Sequence, residues 1–324
     1  MKTILVTGAA GFIGSNLCDA LLERGDKVIG VDNFNAYYSP ETKRENIGSA
    51  LAHPNFQIVE EDICHEQPLK KIVADARPDV VVHLAAQAGV RPSLEDPHLY
   101  HDINVKGTQN ILDACRAIKL SRLVMASSSS VYGAIHEVPF RETMDVSQVI
   151  SPYAATKRMN ELMGHVYHHL YGMNITLLRF FTAYGPRQRP DMAISKFTHL
   201  IEQGLPVQMY GDGSTYRDYT YITDIVDGVI RAVDTPLGYE IINLGKGHTV
   251  SLKRLLELIG EHLGKTPIIE QLPMQPGDVD ETYSDISKAQ TLLGYSPQTT
   301  IEEGLSNYVK WLKSIRADSE KRSL

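Results

Sequence analysis

The chain has 324 residues, of which 43% are hydrophobic and 22% charged, and its formal net charge is −7. This composition is typical of a globular protein and excludes collagen-like and intrinsically disordered chains. Because the balance is acidic and the chain has no basic run, the composition also argues against a protein that coats nucleic acid.

The three cysteines, Cys18, Cys64 and Cys115, are far apart and odd in number. This pattern predicts neither a disulfide framework nor a zinc knuckle, and it fits a reducing compartment. The short apolar stretch that ends at Gly8 is too short for a signal peptide. The chain contains no run of about 18 apolar residues, so no membrane span is predicted. We therefore expect a cytoplasmic protein with no membrane and no nucleic-acid partner.

The first half of the chain alternates short apolar runs with segments of helical periodicity. Strands are predicted at residues 3–6, 27–31, 56–59, 80–84, 123–126 and 175–178, and helices at 13–24, 67–75, 101–118 and 153–171. Alternation of this kind predicts an α/β fold with a doubly wound parallel Rossmann sheet.

After about residue 180 proline and glycine become frequent, and the pattern changes. A helix near 191–203, a strand at 207–210 and helices near 251–263 and 301–315 predict a smaller α+β domain. Residues 222–246 again have the pattern of a helix followed by a strand, so we expect a return to the first domain there. The predicted division is 1–180 for the first domain, with this return segment, and 181–324 for the second.

A glycine-rich turn follows the first strand and opens the first helix, with Gly8, Gly11 and Gly14 at its key positions. Glycines let the backbone approach a pyrophosphate, and the helix N-terminus presents free N–H groups to it. Asp32 ends the second strand, where a carboxylate accepts from a ribose 2′-hydroxyl and repels a 2′-phosphate. The pattern predicts a dinucleotide site that prefers NAD to NADP.

Further residues that we expect to contact NAD follow the ends of the later strands. Asp62 is placed to contact adenine, and small residues after the fourth strand would lie along the cofactor. The complete predicted cofactor set is Gly8, Gly11, Phe12, Ile13, Gly14, Asp32, Asn33, Asp62, Ile63, Leu84, Ala85, Ala86, Asn104, Tyr153 and Lys157.

A serine run that contains Ser128 follows the fifth strand, and Tyr153 and Lys157 open the next helix. The lysine lies four positions after the tyrosine, so both lie on one helical face. A nearby ammonium favours the phenolate, and we expect it to lower the pKa of Tyr153. The tyrosine would then act as general base on a sugar hydroxyl, with a serine hydroxyl sharing the proton.

Together these motifs resemble the extended short-chain dehydrogenase/reductase family over nearly the whole chain. The resemblance implies catalytic roles for Ser128, Tyr153 and Lys157. It also implies a Rossmann domain followed by a smaller domain that binds a nucleotide sugar. Members of the family pair two helices of each copy into a four-helix bundle, so the resemblance implies a homodimer through the helices at 101–118 and 153–171.

The residues beside Ser128 distinguish the reactions of this family. Its dehydratases carry Thr-Asp-Glu before Val-Tyr-Gly, a related decarboxylase carries Glu there, and its 3,5-epimerases use a nearby cysteine. This chain instead has Ser129 and Ser130, which hold no charge at neutral pH. The resemblance therefore implies oxidation and re-reduction of one carbon, which is a 4-epimerisation.

The remaining motifs, at residues 32–38, 83–91, 179–186, 189–193 and 274–279, are most similar to those of the UDP-glucuronate 4-epimerases. In that subfamily hydroxyls of the serine run and of the position matching Thr182 hold the sugar carboxylate. The resemblance implies that Arg217 binds the diphosphate and that Asp278 accepts from the uridine ribose. The complete predicted substrate set is Gln87, Ser129, Ser130, Thr182, Arg187, Arg189, Val207, Met209, Arg217 and Asp278, with Val207 to Met209 beside uracil.

Three other functions stay open: a UDP-glucose or UDP-N-acetylglucosamine 4-epimerase, a net NAD-linked nucleotide-sugar oxidoreductase, and a non-catalytic NAD-sensing regulator. His165, His168 and His169 share one predicted helix, but no carboxylate pattern accompanies them. A solvated or interface helix explains them better, so no metal site is predicted.

Overall fold

The protein is described by a computed structural model that covers residues 1–273 and 280–322. Its strands are β1 (Thr3–Thr7), β2 (Lys27–Asp32), β3 (Phe56–Glu60), β4 (Val80–His83), β5 (Arg122–Ser128), β6 (Asn174–Phe180), β7 (Thr182–Tyr184), β8 (Val207–Tyr210), β9 (Tyr216–Arg217), β10 (Tyr219–Tyr221), β11 (Tyr239–Leu244), β12 (Val250–Ser251), β13 (Ile269–Leu272) and β14 (Glu281–Thr282).

Helices account for most of the remaining regular structure. They are α1 (Phe12–Glu23), α2 (Pro40–Asn46), α3 (Gly48–Leu51), α4 (Glu66–Ala76), α5 (Val90–Glu95), α6 (Pro97–His101), α7 (Gly107–Ala117), α8 (Pro152–Tyr171), α9 (Ala193–Gln203), α10 (Ile222–Asp234), α11 (Leu252–Leu263), α12 (Ser287–Leu293) and α13 (Ile301–Arg322). A π-helical turn (Asp102–Lys106) joins α6 to α7, and a 3-10 turn (Ser129–Tyr132) follows β5.

Seven strands form a parallel sheet in the order β11-β6-β5-β4-β1-β2-β3. β1 pairs with both β2 and β4, so the direction in which strands are added reverses there. In open parallel sheets ligands bind beyond the carboxyl ends of the strands at such a reversal. The predicted α/β fold with a doubly wound parallel sheet is confirmed.

The central strands are buried on both faces because helices cover each side of the sheet. Ile4 and Val6 of β1 pack in one apolar cluster, whereas Leu5 packs in the other. Alternate side chains of a strand point to opposite faces, so one short run contributes to both clusters. This explains why the predicted strands are continuous apolar runs rather than alternating ones.

The chain returns to the large sheet after residue 221, as predicted. β11 pairs in parallel with β6, and α10 packs against α1. The other strands form small separate sheets, β10-β7, β12-β9-β14 and β13-β8. The division into domains at residue 180 stays a prediction.

Two local differences from the predicted elements have clear causes. The helix predicted over 101–118 is interrupted by the π-helical turn and begins earlier, at Pro97, where the Asp96 side chain accepts from the Leu99 backbone N–H. The unpredicted α2 begins in the same way, with Ser39 as N-cap and Pro40 in the first turn. Both starts carry a capping residue followed by proline, which is a recognisable helix-start signal.

Within residues 1–273 and 280–322, no helix is both long and apolar enough to cross a membrane. In the same residues, no group of three or more His, Cys, Asp or Glu side chains is arranged to hold a metal ion.

Candidate active site

A cavity of about 600 Å³ opens at the carboxyl ends of β1, β2, β4 and β5. It brings together all three predicted catalytic residues and most of the predicted cofactor and substrate residues. Those that line it are Gly8, Gly11, Phe12, Ile13, Gly14, Asp32, Asn33, Asp62, Ile63, Leu84, Ala85, Ala86, Gln87, Ser128, Ser129, Ser130, Tyr153, Lys157, Thr182, Arg189 and Arg217.

The glycine-rich turn forms one wall of this cavity, and its backbone packs too closely for side chains. Gly8 has φ +70°, and a Cβ there would lie 2.8 Å from the backbone nitrogen of Ala85. A Cβ on Gly14 would lie 2.0 Å from the carbonyl oxygen of Gly8. Because α1 begins at Phe12, its free N–H groups face the same space, which fits the diphosphate of a dinucleotide.

Asp32 is oriented at the end of β2 by two backbone groups. Its Oδ2 accepts from Ala10 N at 3.0 Å and its Oδ1 from Phe34 N at 2.9 Å. Burial raises the pKa of the carboxyl, and these two hydrogen bonds oppose that rise. Each carboxylate oxygen has a second lone pair, so the group can still accept from ribose hydroxyls.

Asp62 and Asn33 lie together at the same end of the cavity. Asn33 Nδ2 donates to Asp62 Oδ2 at 2.7 Å, and Cys64 N donates to Oδ1 at 2.8 Å. Burial by itself would raise the pKa of Asp62, but these hydrogen bonds outweigh it and hold the pKa below its usual value. The carboxylate therefore stays ionised and available to polar groups of a ligand.

Tyr153 and Lys157 project from the first two turns of α8, which Ser151 caps at its N-terminus. Lys157 Nζ donates to Ala126 O at 3.0 Å and lies 5.9 Å from the centroid of the Tyr153 ring. The Ser128 hydroxyl lies close enough to the Tyr153 phenol to favour the phenolate. Strand β5 and helix α8 thus place the three predicted catalytic groups together.

The expected lowering of the Tyr153 pKa is wrong for the protein alone. Burial raises the pKa of the phenol, and the opposing groups are the Ser128 hydroxyl and the Arg189 guanidinium. Burial also lowers the pKa of Lys157 to about 8. The helical spacing correctly places the ammonium beside the phenol, but it carries no information about how deeply both groups are buried.

Charged side chains are distributed unevenly along the cavity. Among its described lining residues, carboxylates occur only at Asp32, Glu61 and Asp62, which lie at the ends of β2 and β3. Hydroxyls of Ser128, Ser129 and other residues line the part beside Tyr153. That part therefore holds proton donors and acceptors but no carboxylate.

A second cavity of about 640 Å³ adjoins the first, and Arg91 and Arg217 line both. The Arg91 guanidinium lies 5.8 Å from the centroid of the Tyr210 ring, which lines the second cavity. Two guanidinium groups between two cavities suit a diphosphate that joins a sugar to a nucleoside.

A model of the family described as GDP-mannose 4,6 dehydratase matches residues 5–308. The chain belongs to this family of extended short-chain dehydrogenases/reductases. A UDP-glucuronate 4-epimerase from Thermodesulfobacterium geofontis is 44% identical over 314 residues, which is 97% of each chain.

Two solved structures show the same similarity. UDP-glucuronic acid 4-epimerase from Bacillus cereus, in complex with UDP-glucuronic acid and NAD, has a TM-score of 0.90 at 39% identity and covers 97% of this chain and 99% of that one. UDP-N-acetylglucosamine 4-epimerase from Methanobrevibacter ruminantium M1, in complex with UDP-N-acetylmuramic acid, has a TM-score of 0.89 at 32% identity and covers the same shares.

In this short-chain dehydrogenase/reductase, three predicted ligand contacts lie outside the cavity. Arg187 forms an ion pair with Asp19, with 2.7 Å between Nη1 and Oδ2, so its charge is already matched elsewhere.

Val207 and Met209 pack in the apolar core with 0% and 9% exposure. Strand alternation turns Gln208 and Tyr210 toward the second cavity, and the contact of Val207 to Met209 with uracil stays a prediction.

Asn104 is also buried beneath the cavity rather than on its wall. It accepts from Gln87 N at 2.8 Å and donates to Gln87 O at 2.9 Å. The amide holds the loop after β4, and the direct contact of Asn104 with NAD stays a prediction. Asp278 lies outside the described residues.

Sequence reasoning missed Lys43 on α2, which lines the cavity beside Asp32. Its Nζ donates to Asn35 O at 2.8 Å and lies 4.8 Å from the centroid of the Tyr38 ring. Arg91 and Tyr210 were missed as well, and Gln208 was predicted only as part of the stretch Val207 to Met209. No motif marks Lys43 in advance, although the alternation of β8 could have identified the outward-facing pair.

The depressed pKa of Lys157 predicts a pH dependence of stability. The pKa is about 8 in the folded protein against 10.5 for an exposed lysine, so the unfolded chain binds more protons between these values. The free energy of unfolding should then rise with pH in this window, by about 1.4 kcal/mol per pH unit relative to Lys157→Met. Urea unfolding of both proteins at several pH values from 7 to 10 measures the difference, and a constant difference would contradict a buried ammonium.

Proposed function

We propose that this protein is an NAD-dependent UDP-sugar 4-epimerase that converts UDP-glucuronate to UDP-galacturonate. The observation that carries the proposal is the meeting of Ser128, Tyr153 and Lys157 on the wall of the cavity that also holds the glycine-rich turn and Asp32. The similarity to UDP-glucuronate 4-epimerases over nearly the whole chain supports the same reaction.

The glycine-rich turn, Asp32 and Asp62 fit NAD, and the Asp32 carboxylate favours NAD over a 2′-phosphorylated cofactor. When bound, NAD would supply reversible hydride transfer at the sugar C4, so the net redox change would be zero. Lys43 lies beside Asp32 and adds a donor for the adenosine ribose.

Residues of α8 and β5 carry out the proton transfer. Ser128 orients the C4 hydroxyl, and Tyr153 Oη accepts its proton as C4 becomes a ketone. Lys157 stabilises the phenolate, with the Arg189 guanidinium as a second nearby cation. The flat ketone would turn about its diphosphate tether, so that the hydride held by the cofactor would return to the opposite face of C4 while Tyr153 returns the proton to the oxygen.

The arrangement of charges favours epimerisation over dehydration, the reaction for which the family is described. A dehydratase needs an acid and a base beside the sugar to expel water. The described carboxylates of the cavity are at the β2 and β3 ends, and the residues next to Ser128 are Ser129 and Ser130. The site therefore supports redox chemistry at one carbon without elimination.

Ser130 and Thr182 are proposed to hold the carboxylate of the sugar. Both line the cavity, and the buried Ser130 Oγ makes no hydrogen bond with the described residues. A buried hydroxyl without a partner is unfavourable unless a ligand satisfies it. The 4-ketone of a glucuronate is a β-keto acid, which loses CO₂ when the C5–C6 bond aligns with the π system of the C4 carbonyl. Hydroxyl contacts to the carboxylate would hold that bond out of alignment and so limit the loss of CO₂.

Removing these hydroxyls should increase decarboxylation. We expect Ser130→Ala and Thr182→Val to raise the share of UDP-pentose in the product several-fold, because the carboxylate can then rotate into alignment. Chromatography of the products measures the ratio of pentose to hexuronate. Ser147→Ala, an exposed serine outside the cavity, is the matched control. An unchanged ratio in both variants would contradict this role.

Separate incubations with UDP-glucuronate, UDP-glucose and UDP-N-acetylglucosamine test the proposed function. We expect C4 inversion of UDP-glucuronate, resolved by chromatography, with no stoichiometric rise in absorbance at 340 nm. The second candidate substrates are the neutral UDP-sugars, which the similarity to the Methanobrevibacter enzyme favours. Inversion of those alone would overturn the glucuronate assignment, and a stoichiometric rise at 340 nm would indicate a net oxidoreductase.

We further propose a homodimer through α8 and the helices at 97–117, in the manner of a four-helix bundle. Met159, Leu162, Val166 and Leu170 are 42%, 53%, 47% and 60% exposed and recur every three or four residues, so they form one apolar stripe on α8. A second copy would cover it. The composition and the three free cysteines support a cytoplasmic location.

The dimer predicts a solution mass of about twice 36.0 kDa by sedimentation equilibrium. Replacing Leu162 and Val166 by lysine should give monomers, because it puts charge in the centre of the stripe. Lys71→Ala, an exposed change on α4, serves as the control. A double variant that remains dimeric would place the interface elsewhere.

A further inference from the structure

A buried ion pair ties the catalytic helix to the strands that carry the serine run. Glu161 of α8 is 0% exposed and Arg179 of β6 is 1% exposed. Arg179 Nε donates to Glu161 Oε1 at 2.8 Å, and Nη2 donates to Oε2 at 2.9 Å. The two side chains therefore meet in a two-bond, planar arrangement that fixes their relative orientation.

The pair lies one helical turn from Lys157 and reaches both ends of the serine run. Ser127 Oγ donates to Glu161 Oε1 at 2.7 Å, and Ser127 pairs with Arg179 across β5 and β6. The Arg179 guanidinium also lies 4.8 Å from the centroid of the Tyr132 ring, at the end of the 3-10 turn that contains Ser129 and Ser130. One ion pair thus contacts the residues before and after the catalytic serine.

Stability does not explain why charged groups occupy this position. Desolvation of a buried ion pair offsets much of its attraction, and apolar replacements of similar volume are often as stable. Another hydrogen bond between α8 and β5 runs from Lys157 Nζ to Ala126 O. Lys157 lies beside the Tyr153 ring on the cavity wall, whereas Glu161 and Arg179 do not line the cavity and so can hold the spacing without taking part in the chemistry.

Glu161 and Arg179 keep their charges throughout the neutral pH range. Burial by itself would raise the pKa of Glu161, but the Arg179 guanidinium holds it below the usual value. A guanidinium does not lose its proton in proteins. Tyr239 Oη also donates to Glu161 O at 2.8 Å, which connects the same turn of α8 to β11.

We propose that Glu161 and Arg179 are positioning residues for the epimerisation, which set the distance from Tyr153 and Lys157 on α8 to Ser128 at the end of β5. This inference rests on the proposed function. Reaction rates fall steeply when reacting groups move by about 1 Å, by up to 10²-fold, so a modest shift of α8 should reduce kcat. Binding of NAD and of the UDP moiety uses other residues and should change little.

The test compares Glu161→Gln, Ser127→Ala and Asp224→Asn by steady-state kinetics, bound NAD content and thermal unfolding. Asp224 is the matched control, because it is a buried carboxylate that accepts from Gln298 N and Thr299 N outside the cavity. We expect kcat to fall about 10–100-fold in Glu161→Gln and about 3–10-fold in Ser127→Ala, with KM and NAD content within about twofold of wild type. Asp224→Asn should lower the Tm and leave kcat unchanged.

Arg179→Lys and Arg179→Met give a second, independent comparison. A positioning role predicts that Arg179→Lys has a higher kcat than Arg179→Met. The lysine ammonium keeps the charge and one hydrogen bond, although it loses the paired geometry. If kcat stays within twofold of wild type in Ser127→Ala and in every folded Glu161 and Arg179 variant, the inference is overturned, even where Tm falls. Absence of turnover in the wild type would instead refute the proposed function.

Discussion

Replacing Tyr153 by phenylalanine is expected to lower kcat for C4 epimerisation by about 10²–10⁴-fold, because the variant has no group to accept the C4 hydroxyl proton. The ring and its packing are retained, so the fold, the NAD content and the KM for the UDP-sugar should change little. Edge-to-face packing of Tyr100 on this ring does not need the hydroxyl. Product formation under saturating substrate measures the effect.

Tyr171→Phe supplies the matched control for this experiment. Tyr171 ends the same helix, is 46% exposed and does not line the cavity. We expect wild-type kcat for that variant. Full-speed C4 inversion by the Tyr153→Phe protein would remove the phenol from the chemistry and require another proton acceptor.

A methyl group on Gly14 should weaken NAD binding by about 10–100-fold, as expected when an added carbon forces the backbone to move. The added Cβ would lie 2.0 Å from the carbonyl oxygen of Gly8, so α1 and the turn must separate. That movement takes the free N–H groups of α1 away from the diphosphate. Calorimetric titration of the cofactor-free protein with NAD measures the change.

Gly48→Ala is the appropriate control, since a Cβ on Gly48 meets nothing within 4 Å. The two substitutions are chemically identical and both lie near the first residues of a helix. If Gly14→Ala binds NAD as tightly as Gly48→Ala, the glycine-rich turn does not form the diphosphate site.

Features governed by local sequence were predictable. The strands are short apolar runs because both faces of the sheet are covered, and Asp32 could be placed at the end of β2 from the run that precedes it. Tyr153 and Lys157 share a helical face by spacing alone. Since parallel strands direct their carboxyl ends to one edge, the meeting of these groups followed from the topology.

Features that depend on packing were not predictable in this way. Arg187 stands in a motif beside the site, yet Asp19 on α1 satisfies its charge. Which face of β8 meets the core depends on its pairing with β13, and this turns Val207 inward. The pKa of Tyr153 is set by burial, which the Tyr-x-x-x-Lys spacing does not reveal.

The most direct test of the whole account follows the hydrogen at C4. UDP-glucuronate that carries deuterium at C4 is converted in ordinary water, and the UDP-galacturonate is analysed by mass spectrometry and NMR. Oxidation and re-reduction of one carbon within a closed site predicts that the product keeps the deuterium at C4. Replacement of that deuterium by solvent hydrogen would contradict the account.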